Sequence, residues 1–430
     1  MGAGIGGLTT ALSLHAAGLD DVVVVEASRR LRAVGAGINL QPAAVRELSE
    51  LGLGEELAAR AVATARLEYH HRYGGMIWSE PRGRAAGYRW PQYSVHRAHL
   101  QALLLREVTR RLGRGAVVTG RRLTGYQQHR RDGRGGPVLA YVAGGHAPYT
   151  CDLLIGADGI NSAVRSAMYP REGPPLWNGI CMWRGLSDEP PFLDGRTMVI
   201  IGCNSRVKAV VYPVSPPDAS GRCTLNWVVE TRGDGGPGGA PPADWDCEAA
   251  PGAVLPHLAG WRTPFLDLHG TIAAAPRVLR YPMIDRDPLP GWTDGRVVLL
   301  GDAAHPMYPT GSNGASQAIV DARVLAYQLA HHDDLDEALS RYDALRRPEA
   351  TRLLAAHRRL EPDPLLHRVE NLAPDGFSDI RQVLPDHRLA DIRSCTREVT
   401  GVDAAGLNAR SSWSVPARRI AACASSTPSG

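Results

Sequence analysis

Apolar residues follow two patterns along this chain, and together they predict a sheet covered by helices. Short unbroken apolar runs predict buried parallel strands, and longer stretches with helical spacing predict helices between them. The predicted strands are Val22–Val25, Asp152–Ile155 and Val297–Leu300; a helix should end near Ala17, and others should span Arg97–Leu112, Ala315–His331 and Leu335–Arg359. Strands that alternate with helices are typical of an α/β fold.

Residues 179–229 differ, because apolar and polar residues alternate there over four segments. The segments GICMWRGL, RTMVIIGC, RVKAVVYPV and CTLNWVVE predict a mixed or antiparallel sheet that packs on the first lobe. Beyond it we expect a Gly/Pro-rich loop at Arg232–Ala243, weaker helices from Pro364 to about Val399, and a disordered tail over 415–430.

Composition argues against several classes of function. The 430 residues carry a net charge of +4, and Lys208 is the only lysine, so the positive charge is arginine scattered among acids. Such scattering indicates a solvated surface and not a nucleic-acid site. Seven cysteines without C-x-x-C argue against zinc and disulfides and favour a reduced, cytoplasmic protein. No apolar run is long enough to span a bilayer, no metal site is expected, and we expect a monomer or homodimer.

The first candidate site is the glycine motif Gly2-Ala3-Gly4-Ile5-Gly6-Gly7, which satisfies G-x-G-x-x-G ahead of a helix. Its glycines allow a tight turn, the approach of a pyrophosphate and a close helix–strand contact. Glu26 ends the next predicted strand, where an acid accepts hydrogen bonds from ribose hydroxyls. The motif should follow a strand, but the sequence begins at the motif itself. We expect that a central strand is missing from the sequence; the alternative is a protein that folds with a gap there.

The second candidate site is Arg296–Ala322, a predicted strand, turn, Pro/Gly loop and helix. Asp302 lies at the carboxyl end of the strand, where open α/β sheets bind ligands. Gly311 and Gly314 let the backbone approach a flat or phosphorylated group, and the helix that begins there points free N–H groups at it. This arrangement suits a flavin, whose reduced ring is anionic.

These stretches resemble the motifs of the class A, single-component FAD-dependent aromatic monooxygenases. G-D-A-A-H-x-x-x-P-x-G-x-x-G from Gly301 to Gly314 resembles their second FAD motif, and the segment CDLLIGADGINSAVR resembles another of their fingerprints. The resemblance implies an α/β, Rossmann-like FAD-binding domain of the para-hydroxybenzoate hydroxylase type. It also implies further cofactor residues: Gly37 beside the flavin ring, Arg97 at the phosphates, Leu123 at the adenine, Asp158 near the pyrophosphate, and Ala315 behind Gly314.

The resemblance further implies the reaction: NADH or NADPH reduces FAD, O₂ gives a flavin C4a-hydroperoxide, and a planar aromatic substrate is hydroxylated. Because no second G-x-G-x-x-G occurs, NAD(P)H should visit the flavin transiently. Segments such as GICMWRG and YPMIDRDPLPGW are similar to those of phenazine-hydroxylating members, which implies a phenazine carboxylate and hydroxylative decarboxylation. The candidate pocket residues are Met182, Trp183, Tyr212, Asn226, Tyr308 and Pro309, with Arg184 a possible carboxylate anchor or an ordinary paired arginine.

The implied domains are an FAD-binding domain at 1–175 and 277–335, a substrate-domain sheet at 176–276 with contributions from 64–95, and C-terminal helices at 336–400.

Three alternative functions differ in which of the motifs they explain. A nicotinamide dehydrogenase would not need Asp302 and its glycine loop. A flavin reductase or dehydrogenase of the same fold explains all three motifs, and oxygen recovered in product would separate it. A non-catalytic protein becomes plausible if the sequence start is genuine.

Overall fold

The computed structural model describes residues 1–31, 36–131, 134–233, 247–360, 363–389 and 404–415. The helices are α1 (Ile5–Ala16), α2 (Pro42–Glu50), α3 (Gly54–Ala58), α4 (Arg97–Leu112), α5 (Ala163–Met168), α6 (Leu268–Ala273), α7 (Gly314–His331), α8 (Leu335–Arg359), α9 (Pro364–Leu372) and α10 (Ala404–Ala409). Most of the expected Gly/Pro loop, residues 390–399 of the C-terminal helices and tail residues 416–430 lie outside the described residues.

The strands are β1 (Val24–Val25), β2 (Gly37–Leu40), β3 (Val62–Thr64), β4 (Arg66–His70), β5 (Met76–Pro81), β6 (Gln92–His96), β7 (Val117–Val118), β8 (Leu123–Arg131), β9 (Arg134–Val142), β10 (Tyr149–Cys151), β11 (Leu154–Gly156), β12 (Leu176–Glu189), β13 (Thr197–Cys203), β14 (Val207–Pro213), β15 (Cys223–Arg232), β16 (Glu248–Ala249), β17 (Val278–Asp285), β18 (Thr293–Asp294) and β19 (Val297–Leu299). The helices predicted for α1, α4, α7 and α8 are confirmed to within about two residues of their ends.

The first layer contains short parallel strands with helices on its face. β1 pairs with β7 and β11 pairs with β19, both in parallel. Between the two pairs runs the backbone of Met1 and Gly2: the Gly2 N–H donates to the Val25 carbonyl at 2.7 Å, and the Ala157 N–H donates to the Met1 carbonyl at 2.9 Å. α1, α2 and α4 bury a shared apolar cluster against these strands. The carboxyl ends of β1, β11 and β19 therefore lie at one edge, where the glycine turns follow them.

The second layer is an eight-stranded sheet in the order β16-β17-β12-β15-β14-β13-β4-β5. Neighbouring strands in this sheet pair antiparallel, except that β13 and β4 pair in parallel. The predicted mixed sheet is therefore confirmed. β4 and β5 extend it from the expected 64–95 region, whereas β6 pairs with β2 and β3 in a separate sheet.

The eight-stranded sheet has two different faces because side chains alternate along each strand. One face packs an apolar cluster that includes Trp183, Trp227 and the helix α6. The other face carries Met182, Val210 and Tyr212 and turns toward the first layer. The space between this face and the first layer is where the candidate sites meet.

Candidate active site

The glycine turn before α1 is shaped by contacts that exclude side chains. Gly2 has φ +100°, and a Cβ there would lie 2.3 Å from the Ala157 carbonyl oxygen; a Cβ on Gly7 would lie 1.9 Å from the Gly2 carbonyl oxygen. A Cβ on Gly4, by contrast, would meet nothing within 4 Å. Gly4 is the N-cap of α1, and no side chain of the described residues caps that end. The open space beside Gly4 and the free N–H groups of α1 form an anion-binding cradle.

Glu26 and the start of α4 border the same turn. The Glu26 carboxylate accepts hydrogen bonds from the Ala3 and Ser28 N–H groups, each at 2.8 Å, which holds it at the end of β1. The Gln101 side chain donates to the Ala3 carbonyl at 2.8 Å and so ties α4 to the turn. Sequence reasoning missed Gln101; it lies one helical turn after Arg97, and that spacing is the signal that points to it.

Asp302 lies in the turn that follows β19. It faces the space beside the glycine turn, which we call the cleft. Gly301, at φ +57°, starts this turn, and the Asp302 carboxylate lies 3.8 Å from where a Gly314 Cβ would be. The Asp302 side chain is exposed to the cleft, but the protein around it desolvates the carboxyl group and raises its pKa, while the charges of His305 and Arg97 oppose that rise. Arg97 and Asp302, distant in sequence, therefore act on one another across the cleft. Gly311, at φ +70°, and Ala315 in the first turn of α7 complete this side.

A buried charge network supports the Asp302 turn from below. Asp321 of α7 accepts from His305 at 2.6 Å, from Arg346 of α8 at 2.8 Å and from the Gly301 N–H at 3.0 Å. Burial alone would raise the pKa of Asp321, but the charges of His305 and Arg346 outweigh it and hold the pKa at about 2. Sequence reasoning missed this network, because its members come from three separate elements.

Asp158 is placed at the glycine turn, but its carboxylate is used to cap a helix. It accepts from the Ser162 hydroxyl at 2.5 Å and from the Ala163 N–H at 2.8 Å, at the start of α5. Arg165 is buried and donates to the carbonyls of Ala303 and Ala304, so it ties α5 to the Asp302 turn. Leu123 is buried at the start of β8, and Ile5 and Gly6 lie in the first turn of α1, where a Cβ on Gly6 would lie 3.0 Å from Leu300.

A cavity lies between the eight-stranded sheet and the loop after Asp302. Its volume is about 1030 Å³ when the space that opens to solvent is included. Its lining includes Met182, Arg184, Tyr212, Pro309 and Gly311, so three of the six predicted pocket residues border it. It also includes Lys208 and Glu230, which sequence reasoning did not select.

The other three predicted pocket residues lie elsewhere. Trp183 points to the opposite face of β12, where its indole N–H donates to the Thr231 hydroxyl at 3.0 Å, so it belongs to the core and does not line the cavity. Asn226 is fully buried and accepts from the Gly37 N–H at 2.7 Å. Tyr308 packs in the same apolar cluster as Met182 and Tyr212 but does not itself border the cavity. Side-chain alternation in strands explains the Trp183 error, because Met182 and its neighbour cannot share a face.

Gly37 joins the cavity to the cofactor side. A Cβ there would lie 2.4 Å from Val214, and its carbonyl accepts from Arg184 at 2.7 Å and from Tyr212 at 2.9 Å. Burial raises the pKa of Tyr212 to about 12, so the phenol keeps the proton that it donates. The starts of α1 and α7 carry no side-chain cap from the described residues. Together with the glycine cradle, Glu26 and Asp302, they fit an extended dinucleotide that carries a pyrophosphate and a ribose.

Comparison with known proteins identifies the class. A family model described as FAD binding domain matches residues 1–178 and 286–357, and the chain belongs to this family. The chain is an FAD-dependent monooxygenase. It is 46% identical to the phenazine 1,6-dicarboxylic acid hydroxylase of Lysobacter antibioticus over 366 residues, which cover 83% of this chain and 88% of that protein. The expected family is thus confirmed.

Two further comparisons support the class and the fold. A salicylate hydroxylase of Pseudomonas putida is 32% identical over 381 residues, which cover 82% of each chain. The structure of Klebsiella pneumoniae HpxO complexed with FAD and uric acid matches with a TM-score of 0.74 at 24% identity, covering 92% of this chain and 95% of that one. At that identity the likeness concerns the fold, and it confirms the predicted fold class.

Two absences concern the part of the chain that the structure describes. None of its helices combines the length and apolar composition of a membrane-spanning segment. Within the same residues, no three His, Cys, Asp or Glu side chains come together as metal ligands.

Proposed function

We propose that the protein is an NAD(P)H-consuming flavin monooxygenase that hydroxylates a planar aromatic carboxylate, with phenazine carboxylates as the first candidates. The observation that carries the substrate class is Arg184. This arginine lines the cavity, its Nε is buried without a partner, and it forms no ion pair with any described residue. A partly buried cation with no counter-ion favours an anionic ligand, so a substrate carboxylate is the partner that we assign to it.

The chemistry that FAD supplies when bound is the transfer of electrons from NAD(P)H to O₂, which leaves one oxygen atom on the substrate. The protein supplies position and a dry cavity. We assign FAD contacts to the glycine turn, Glu26, Arg97, Leu123, Asp158, Asp302 and the Gly311–Ala315 segment. Met182, Tyr212 and Pro309 border the substrate side. Such walls favour a flat apolar ring and exclude water from the reaction.

Arg184 also orients the substrate relative to the cofactor. It donates to the Gly37 carbonyl, which lies in the segment assigned beside the flavin ring, and to the Tyr281 hydroxyl at 2.9 Å. A carboxylate bound to Arg184 is therefore fixed near that segment. The relative from Lysobacter, whose name specifies a phenazine dicarboxylic acid, supports a phenazine as the ring system.

A substrate screen tests the proposal. Purified protein loaded with FAD is mixed with phenazine, quinoline and naphthalene carboxylates, and NADH or NADPH oxidation is followed by stopped flow. A phenazine carboxylate should accelerate flavin reduction most, and ¹⁸O₂ should label the product. Stimulation by single-ring phenols alone would contradict the substrate class, and reduction without label in the product would favour a dehydrogenase.

Arg184→Met tests the anchor directly. Because a charge-assisted hydrogen bond contributes about 1.5–3 kcal/mol, kcat/KM for phenazine-1-carboxylate should fall by about 10- to 100-fold. The neutral amide of the same acid is the matched control, and its smaller kcat/KM should hardly change in this variant. An equal loss for acid and amide would show that Arg184 is structural.

A further inference from the structure

The only lysine of the chain lies inside the substrate cavity. Lys208 is 7% exposed, faces the cavity from β14, and places its Nζ 2.8 Å from a Glu230 carboxylate oxygen. Glu230 lies directly opposite on β15 and is 4% exposed. Burying two charges is costly even when they pair, so an arginine-rich protein has no packing reason to place its single lysine here.

The Lys208–Glu230 pair borders the same cavity as Arg184, one row of side chains further along the sheet. The strand register aligns Met182, Glu230 and Lys208 in one row across three neighbouring strands, and Arg184 lies two residues further along β12. From the usual strand spacing and rise, the Cα atoms of Arg184 and Lys208 are about 12 Å apart. A flat fused-ring substrate that places a carboxylate on Arg184 therefore extends its far edge toward this pair.

Charges differ between Arg184 and the Lys208–Glu230 pair. Arg184 has no ion pair with any described residue, so it can accept one carboxylate. Lys208, by contrast, already pairs with Glu230. Asp363, the N-cap of α9, adds a further carboxylate to this part of the lining.

We propose that the Lys208–Glu230 pair makes the enzyme select aromatic monocarboxylates over dicarboxylates. This inference rests on the proposed function and refines its substrate class. A second carboxylate on the far edge would face Glu230 and Asp363, and it would have to compete for a lysine that is already paired. A neutral edge that offers ring nitrogens or hydroxyl groups can instead exchange hydrogen bonds with both members of the pair.

Binding and turnover of two ligands test the inference. The FAD-loaded protein is titrated at neutral pH with phenazine-1-carboxylate and with phenazine-1,6-dicarboxylate. Binding is read from the flavin absorbance spectrum, and kcat/KM from NAD(P)H oxidation. Because like-charge contacts at a binding site are strongly unfavourable, wild type should bind the monoacid at least about tenfold more tightly.

Glu230→Gln removes one negative charge from this part of the cavity, so it should raise affinity for the dicarboxylate by about tenfold and change monoacid affinity by less than about threefold. Lys208→Gln should widen the wild-type preference. Glu337→Gln, which removes an exposed acid on α8, is the control and should change neither ligand. The wild-type comparison stands even if a variant fails to fold.

Two results would overturn the inference in distinguishable ways. Equal or tighter binding of the dicarboxylate by wild type would refute the selectivity while leaving the phenazine proposal in place. No spectral change and no stimulation by either acid would refute the proposed substrate class and this inference with it.

Discussion

At the scale of single residues, the glycines of the first turn do two separate things. Gly7 is required by the fold, because a Cβ there would collide with the Gly2 carbonyl oxygen. Gly4 meets no protein atom within 4 Å and has φ −74°, which any residue adopts. We therefore expect that the absence of a side chain at Gly4 serves a bound group and not the fold itself.

This difference gives a matched pair of variants. Gly4→Ala should leave the melting temperature of the apoprotein within about 2 °C of wild type, because the new methyl group meets no protein atom. It should nevertheless weaken FAD binding, measured by quenching of flavin fluorescence, by about tenfold or more, since the methyl group enters the pyrophosphate cradle. Gly7→Ala should instead lower the melting temperature of the apoprotein itself. Normal FAD affinity in Gly4→Ala would place the pyrophosphate elsewhere.

At the scale of elements, the Asp302 turn is held by α7 and α8 through Asp321. The Asp321 carboxylate is fully buried. It accepts hydrogen bonds from the Gly301 N–H in the turn after β19, from His305 and from Arg346. These contacts join three elements at the Asp321 carboxylate, next to the turn that carries Asp302, which is assigned an FAD contact. Stability of this junction should therefore depend on the charge of Asp321.

Asp321→Asn tests that dependence. The folded-state pKa of about 2 lies below the unfolded value near 3.9, so the carboxylate stabilises the fold above about pH 4, and this stabilisation is lost as the pH falls toward 2. The variant should lose about 3–5 kcal/mol at pH 7, because Arg346 loses its buried acid and keeps only the partly exposed Glu349. Its remaining stability should change less than that of wild type between about pH 4 and pH 2.

Urea denaturation at several pH values measures both effects. Asp287→Asn is the control, because its ion pair with Arg358 is exposed and should contribute no more than about 1 kcal/mol. A variant with the same acid dependence as wild type would show that other carboxylates govern acid unfolding.

At the scale of the whole molecule, the backbone of Gly37 connects the first layer with the eight-stranded sheet. The Gly37 N–H donates to Asn226, and its carbonyl accepts from Arg184 and Tyr212. All three side chains come from the eight-stranded sheet. Occupation of the cavity at Arg184 can therefore affect the segment beside the cofactor through a single junction.

Asn226→Leu should separate this junction from general stability. It leaves the buried Gly37 N–H without an acceptor, which costs about 1–3 kcal/mol in urea denaturation, and it should weaken binding of an aromatic acid to the FAD-loaded protein. Thr231→Val is the matched control, since it removes the hydrogen bond of Trp183 on the other face of the same sheet. This control should lose similar stability and keep aromatic-acid affinity. Equal affinity in both variants would show that the junction does not position the substrate.

The sequence by itself determined the local parts of this protein. Glycine turns, the strands before them and the helices after them depend on backbone freedom and apolar spacing within about 30 residues, so local patterns alone locate G-x-G-x-x-G, Glu26, Asp302 and α7. Alternation likewise predicted the strands of the substrate sheet. Alternation could not determine which face of β12 borders the cavity. Trp183 was therefore included among the pocket residues although it lies on the opposite face.

Only the tertiary structure determined which side chains face one another in the folded protein. The cavity charges Arg184, Lys208 and Glu230 come from three strands, and their pairing depends on strand order and register, which no local pattern encodes. The Asp321 network and the Gly37 junction likewise join side chains far apart in sequence. The energy between two charges depends on their distance in space and not on their separation in sequence. The folded structure is therefore needed to tell that Arg184 has no acidic partner among the described residues.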